Sequence, residues 1–237
     1  MVERIHYRRS RFVFAVSPID RAAMQRDGIR VDGIVANGVD MKEFASTETA
    51  PTTDRLRVLS VGSETVKKGL DLLLSAVADP LLQDRVALTI VTRHENHEAL
   101  AKLASELGLA NIEILTNKRP ASTLFRNADV YVAASRQDAF NMPALEAMAS
   151  GVPVLITDQC GLVHWMESAE ALVVNATTSS IRHGLRRLVD SPELRMELSQ
   201  KGIRFAREMS WSQSAESMSA AFAAMDDARG RQRRRSP

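Results

Sequence analysis

Two carboxylates and a pair of lysines carry most of the chemistry legible in this sequence. Asp138 and Glu146 stand eight positions apart in SRQDAFNMPALEAMASGVPVLITDQCG (135–161). The apolar run before them reads as a strand, so Asp138 belongs to the loop after it and Glu146 to the following helix. Asn141 can cap that helix, and Pro143 fits its first turn. The amides of Phe140, Asn141 and Met142 would then be unpaired and aimed outward, and such a helix start attracts phosphate. Glu146, about one turn in, accepts hydrogen bonds only when ionised, and vicinal sugar hydroxyls are natural donors to it. A loop cap at Asp138 and a solvated helix residue at Glu146 would explain the same residues without a ligand.

The second group is VGSETVKKGLDLLL (61–74). A loop containing Gly62 and Ser63 leaves a strand and delivers Lys67 and Lys68 to a helix start. Two cations there oppose the helix dipole, a conflict that a bound phosphate would relieve. Solvated lysines are the simpler account of this loop taken alone. Neither G-x-x-x-x-G-K-[ST] nor G-x-G-x-x-G occurs, which counts against a Walker loop and a dinucleotide dehydrogenase. Other signals are weaker. His94-Glu95-Asn96-His97-Glu98 lacks the H-E-x-x-H spacing and reads as polar residues at a helix start. His164 reads as a packing or surface residue, and Cys160 has no evident histidine partner. No G-x-S-x-G suggests a hydrolase, and no residue set suggests a metal site.

These residues must be positioned by an alternation that begins at Leu56. LRVLSVG, VALTIVT, IEIL, DVYVAAS, PVLIT and ALVV read as strands. Helical stretches separate them; in KGLDLLLSAVAD, Leu70, Leu73, Leu74 and Val77 fall on one face. Short buried-type strands alternating with helices imply right-handed crossovers and an α/β fold, a Rossmann-like parallel sheet with helices on both faces. Ligands bind such sheets beyond the strands' carboxyl ends, where the candidate residues lie. Helices near 180–190, 192–208 and 211–225 close the chain. Upstream, SRFVFAVS (10–17) reads as a strand, PIDRAAMQRDG as a short helix and Asn37-Gly38 as a turn.

The 237 residues, 45% hydrophobic and 25% charged, are typical of a soluble globular chain with a sizeable core. No apolar run approaches a membrane span or a signal peptide, and a lone cysteine forms no internal disulfide, so the expected location is cytoplasmic. The net charge of +2 is uneven: Arg4, Arg8, Arg9 and Arg11 open the chain, and RGRQRRRSP closes it. Those ends could give weak contact with anionic lipid, peripheral to the inner membrane face. A solvated tail without a dedicated partner is the simpler reading, and no specific nucleic acid is expected.

The run DAFNMPALEAMASGVPVL resembles the E-x(7)-E segment of the retaining glycosyltransferases of family 4, the glycosyl transferases group 1. VGSETVKKGLDLLLSA is similar to that family's phosphate loop, NGVDMKEF to the segment joining its two halves, and SWSQSAESM to its closing helix. The resemblance covers about residues 10–225. It implies a GT-B fold, two Rossmann-like domains facing across a cleft, with this chain as the C-terminal donor-binding half. By resemblance the donor is a nucleoside diphosphate sugar, with no other cofactor and no metal. Asp138 and Lys68 would be catalytic. Gly62, Ser63, Lys67, Phe140, Asn141, Met142 and Glu146 would bind the nucleotide sugar. Retention in the family is attributed to front-face attack assisted by the leaving phosphate, without an obligatory protein nucleophile.

Departures from the pattern are Ser63 for a phosphate-binding arginine, Asp138 for glutamate, Asn141 for glycine and His164 for glutamate. The implied organisation is a remnant of the first, acceptor domain at 1–44, a linker at 45–54 and the nucleotide-sugar domain at 55–210. A helix at 211–226 and a basic disordered tail at 227–237 complete it. The acceptor, a glycan, lipid or small molecule, is not legible. A separate chain could supply the absent part of the first domain and pair with RFVFAVS. Two alternatives stay open: a truncated or split-gene module that binds nucleotide sugar without turnover, and a regulatory domain of flavodoxin type. The second does not explain both motif segments.

Overall fold

The computed structural model describes residues 7, 10–44, 54–116 and 121–235. Residues 45–53 of the expected linker and the arginines at 4, 8 and 9 lie outside the described residues.

The architecture is the expected α/β one. Strands β3 (Leu56–Val61), β4 (Val86–Val91), β5 (Ile112–Leu115), β6 (Val130–Ala133), β7 (Val154–Thr157) and β8 (Leu172–Val174) form a parallel sheet in the order β5-β4-β3-β6-β7-β8. Successive strands step outward one way from β3 and the other way from β6. The chain reverses between those two, and the loops beyond their ends flank the crevice that this order creates.

Period-two burial explains the two faces. Val58, Val130 and Val132 point to one side with Leu70, Leu73, Leu74 and Val77 of α3 (Leu70–Val77), the stripe expected from the sequence. Leu100 of α4 (His94–Glu106) and Ile181, Leu185 and Leu188 of α7 (Thr178–Asp190) complete that layer. Leu59, Tyr131 and Ala133 point to the other side. They pack with Phe44 of α2 (Met41–Phe44), Phe125 of α5 (Ala121–Phe125) and Leu145 and Met148 of α6 (Met142–Ala149). Phe205 of α8 (Pro192–Glu208) joins this second layer. Each fully buried leucine contributes about 1.5–3 kcal/mol over exposure, so both layers hold their helices against the sheet.

The upstream segment differs from its sequence reading. Only Phe14–Ala15 of the expected strand at 10–17 is paired, as β1, and its partner is Gly33–Ile34, β2, within the same chain. A ladder extends only as far as its partner does, and β2 is two residues long. The connection is α1 (Pro18–Arg26), with Ser17 as N-cap and Pro18 in the first turn. Asn37-Gly38 forms no turn: the chain passes through it into an isolated bridge between Val39 and Ser210. At the other end, α9 spans Trp211–Arg235, so the helix passes residue 226, where the sequence reading ends it. Alanine, arginine and glutamine are good helix formers, and the single Gly230 costs only about 1 kcal/mol. Phe222 of α9 packs on Phe12 and Phe14 at ring separations of 5.6 and 5.4 Å, tying the C-terminal helix to β1. No helix among the described residues is long and apolar enough to cross a membrane.

Candidate active site

The loops after β3 and β6 converge on one carboxylate. Lys68 Nζ lies 2.6 Å from Asp138 Oδ2, and Asn141 Nδ2 donates to the same oxygen at 2.8 Å. Asp138 is nearly buried, with its side chain 9% exposed, while that of Lys68 is 22% exposed. The pair is sheltered enough for its charges to interact strongly, yet the ammonium remains reachable from solvent.

The lysine loop differs from its expected form. Residues 64–69 make a compact turn, with the Lys68 amide bonded to the Glu64 carbonyl and the Leu70 amide to that of Thr65. The helix therefore starts at Leu70, and both lysines precede it. Gly69 makes the entry in a left-handed conformation (φ 63°), pressed so closely on the Ala134 carbonyl that a Cβ would collide with it. Gly62 is close to the Lys68 side chain, where a Cβ would come within 2.8 Å of the Lys68 Cβ. The Ser63 carbonyl accepts from Asn96 Nδ2 at 2.7 Å. Lys67 is exposed and faces a cleft of about 340 Å³ shared with Arg26 of α1, Gln137, Asp138 and Gln159.

The second loop caps α6 as the sequence implies. Asn141 accepts from the Ala144 amide through its side chain at 3.0 Å, and Pro143 lies in the first turn. Its backbone is left-handed (φ 78°), a conformation asparagine tolerates better than most residues and glycine best, which accounts for asparagine at a position where the family pattern has glycine. One of the three amides expected to be free is occupied: the Phe140 N–H turns back onto Asp138 Oδ1 at 3.3 Å. Asp138 is short enough to close this local ring. The amides of Asn141 and Met142, at the cap and first position, have no intrahelical acceptor.

Glu146 is half-buried on α6, and burial, with the Glu43 carboxylate nearby, pushes its pKa above the ordinary value. Beneath the site the phenol of Tyr131 is fully buried and 3.5 Å from Asn141 Oδ1. Burial raises its pKa well above normal, and the nearby Asp138 carboxylate raises it further. Cys160 is also buried against this group, its thiol pushed up to about 11, chiefly by burial. His164 is exposed, and His94 and His97 are exposed at the start of α4. Among the described residues no group of three His, Cys, Asp or Glu side chains is placed to hold a metal ion.

Sequence reasoning passed over Arg136, Asp71 and Tyr131. Arg136 forks onto Asp71 at 2.7 and 2.6 Å and also holds the Val66 carbonyl at 2.7 Å. Its only signal was membership of the loop after β6. Tyr131 read simply as strand.

The upstream segment walls this site. Ser17 Oγ donates to the Ala139 carbonyl at 2.6 Å and Trp165 Nε1 to that of Val16 at 3.1 Å.

Residues 41–205 match the family pattern described as Glycosyl transferases group 1. The MMP alpha-(1->4)-mannosyltransferase of Mycolicibacterium hassiacum is 32% identical over 187 residues, a match covering 75% of this chain and 44% of that protein. The D-inositol 3-phosphate glycosyltransferase of Frankia alni is 30% identical over 211 residues, covering 80% and 52%. The chain thus spans about half the length of these relatives. Among solved structures, sucrose-phosphate synthase from Thermosynechococcus elongatus superposes with a TM-score of 0.81 at 21% identity, over 96% of this chain and 61% of that one. Anabaena HepE, in complex with UDP and glucose, gives 0.79 at 16% identity, over 93% and 65%. At such identities the two structures establish the shared fold.

Proposed function

Since the chain belongs to the group 1 glycosyl transferases, we propose that it is the donor-binding, C-terminal half of a retaining family 4 enzyme of the GT-B type. The donor is a nucleoside diphosphate sugar, and no further cofactor takes part. The observation that carries this reading is the meeting of Lys68, Asp138 and the capped start of α6 at the point where the sheet order reverses.

Glycosyl transfer develops positive charge at the anomeric carbon and negative charge on the departing diphosphate. Lys68 exchanges Asp138 for the donor's phosphates and neutralises the charge that grows there, while the amides of Asn141 and Met142 hold the same group. Gly62 and Ser63 form the floor of the phosphate loop, with Lys67 supplying a second cation in place of the arginine usual at 63. Phe140 positions the loop through its amide. Asp138 orients the transferred sugar near its anomeric carbon, and Glu146 accepts from the ribose hydroxyls. The acceptor attacks from the face the diphosphate leaves, so configuration is retained without a covalent enzyme intermediate.

The similarity to an MMP alpha-(1->4)-mannosyltransferase and a D-inositol 3-phosphate glycosyltransferase supports a role in glycan or glycoside synthesis. The acceptor is held by the remainder of a two-domain arrangement, whether on this chain or on a separate one. We place the reaction in the cytoplasm, at most peripheral to the membrane's inner face.

The test is thermal shift with UDP-, GDP- and ADP-sugars. A working pocket stabilises the fold by RT ln(1 + [L]/Kd), about 2.7 kcal/mol at a hundredfold excess over Kd. No shift with any of the three overturns the reading. The alternative is a module that binds nucleotide sugar without turnover. Donor binding without donor hydrolysis or transfer would select it.

A further inference from the structure

We infer that Arg136 is a positioning residue, clamping the lysine loop to the loop after β6 so that Lys68 meets both Asp138 and an entering diphosphate; the inference rests on the donor-site reading above. The two loops leave adjacent strands, but the pairing of those strands stops short of the site. β3 and β6 are in register at Val58 with Val130 and Leu59 with Tyr131, while the strands run on to Val61 and Ala133. Past the ladder, Ser60 Oγ bonds the Val132 carbonyl at 2.8 Å. At the tips themselves the clamp takes over.

Arg136 grips the opposite loop and the start of α3 at three places. Its guanidinium forks onto both oxygens of Asp71, at 2.7 and 2.6 Å, and donates to the Val66 carbonyl at 2.7 Å. Its own amide donates to the Lys67 carbonyl at 2.9 Å. The last two contacts seize the residues just before Lys68. Arg136 is itself two positions before Asp138, so one residue sets the origin of both partners of the 2.6 Å pair. The planar guanidinium meets both carboxylate oxygens and the carbonyl in one fixed geometry; lysine at 136 keeps the charge but loses the bidentate fork. The side chains of Arg136 and Asp71 are 35% and 31% exposed, so the ion pair is worth little as bulk stability. Its consequence is placement: a shift of about 1 Å in a reacting group can cost about a hundredfold in rate.

The experiment uses the full chain with Arg136→Ala, Arg136→Lys and Asp71→Asn, each also made with Lys68→Ala. Amide hydrogen exchange without ligand should accelerate across residues 62–70 and stay unchanged in β4. Unchanged exchange at 62–70 overturns the clamp, whatever the protein binds. The second readout is the affinity of whichever of UDP, GDP or ADP binds, relative to its monophosphate. Each clamp variant should lower that ratio roughly tenfold, the size of coupling within one ion-pair network. In the Lys68→Ala background the clamp variants should lower it no further, because the clamp acts through Lys68. A loss that persists in that background overturns the proposal, as does an undiminished ratio in Arg136→Lys, which keeps the charge and the fold. Failure of the unaltered protein to bind any of the three diphosphates refutes the donor reading instead, and hydrogen exchange then decides the clamp.

Discussion

Lys68 Nζ and Asp138 Oδ2 meet at 2.6 Å although 70 positions separate them in the chain. The same oxygen also accepts from Asn141, whose side-chain carbonyl caps α6. The cation, the carboxylate and the helix start are therefore one hydrogen-bonded unit. On the proposed function, an incoming diphosphate would compete with Asp138 for the ammonium, and the displaced carboxylate would keep Asn141 as donor.

Lys68→Ala should weaken nucleoside diphosphate binding by roughly tenfold or more, since a charge-assisted contact is worth about 1.5–3 kcal/mol. The loss should shrink as salt rises, because screening weakens the contribution being removed. Titration calorimetry at two ionic strengths checks this, and equal affinity of variant and parent at low salt refutes the role given to Lys68.

Glu146→Gln should raise the melting temperature at neutral pH while lowering donor affinity. A carboxyl whose pKa is raised on folding penalises the folded state above that pKa, and burial raises that of Glu146. The gain should fade as pH falls and vanish below about pH 4, where the carboxyl is protonated in both states. Melting curves from pH 4 to 8 test the sign; a variant less stable at pH 8 contradicts it.

Gly69→Ala should destabilise far more than Gly108→Ala. Both glycines have positive φ, at 63° and 68°, so each substitution carries the same left-handed penalty of about 1–2 kcal/mol. Only at Gly69 does a Cβ also strike backbone, the Ala134 carbonyl, whereas nothing lies within 4 Å at Gly108. Urea midpoints of the two variants, read side by side, measure the difference, and equal midpoints would show that the close approach at Gly69 is unimportant.

The thiol of Cys160 should be inert in the folded protein. It is fully buried, and its pKa of about 11 leaves almost no thiolate at pH 8. An aromatic disulfide reagent should react only at the rate of unfolding, accelerating with urea. Prompt stoichiometric reaction in buffer would contradict the packing around Thr157 and Asn141.

Much of this was legible in the sequence because it is local. The stripe of Leu70, Leu73, Leu74 and Val77, the cap at Asn141 followed by Pro143, and the strand-helix alternation all depend on neighbours within a few positions. Local readings failed where a non-local partner decided: the strand expected over 10–17 pairs at two residues because β2 offers no more. The sequence puts both lysines at a helix start, but the turn and Gly69 set that start after them.

The sequence by itself determined the strands and helices of the sheet, the fold class and the residue types capable of gripping a phosphate. Tertiary structure alone decided that Lys68 pairs with Asp138 and that Arg136 reaches Asp71. Periodicity and capping act over one or two turns of chain and leave a mark on composition. A contact across 65 or 70 residues is set by strand order and register, and those emerge only when the whole sheet closes over its two cores.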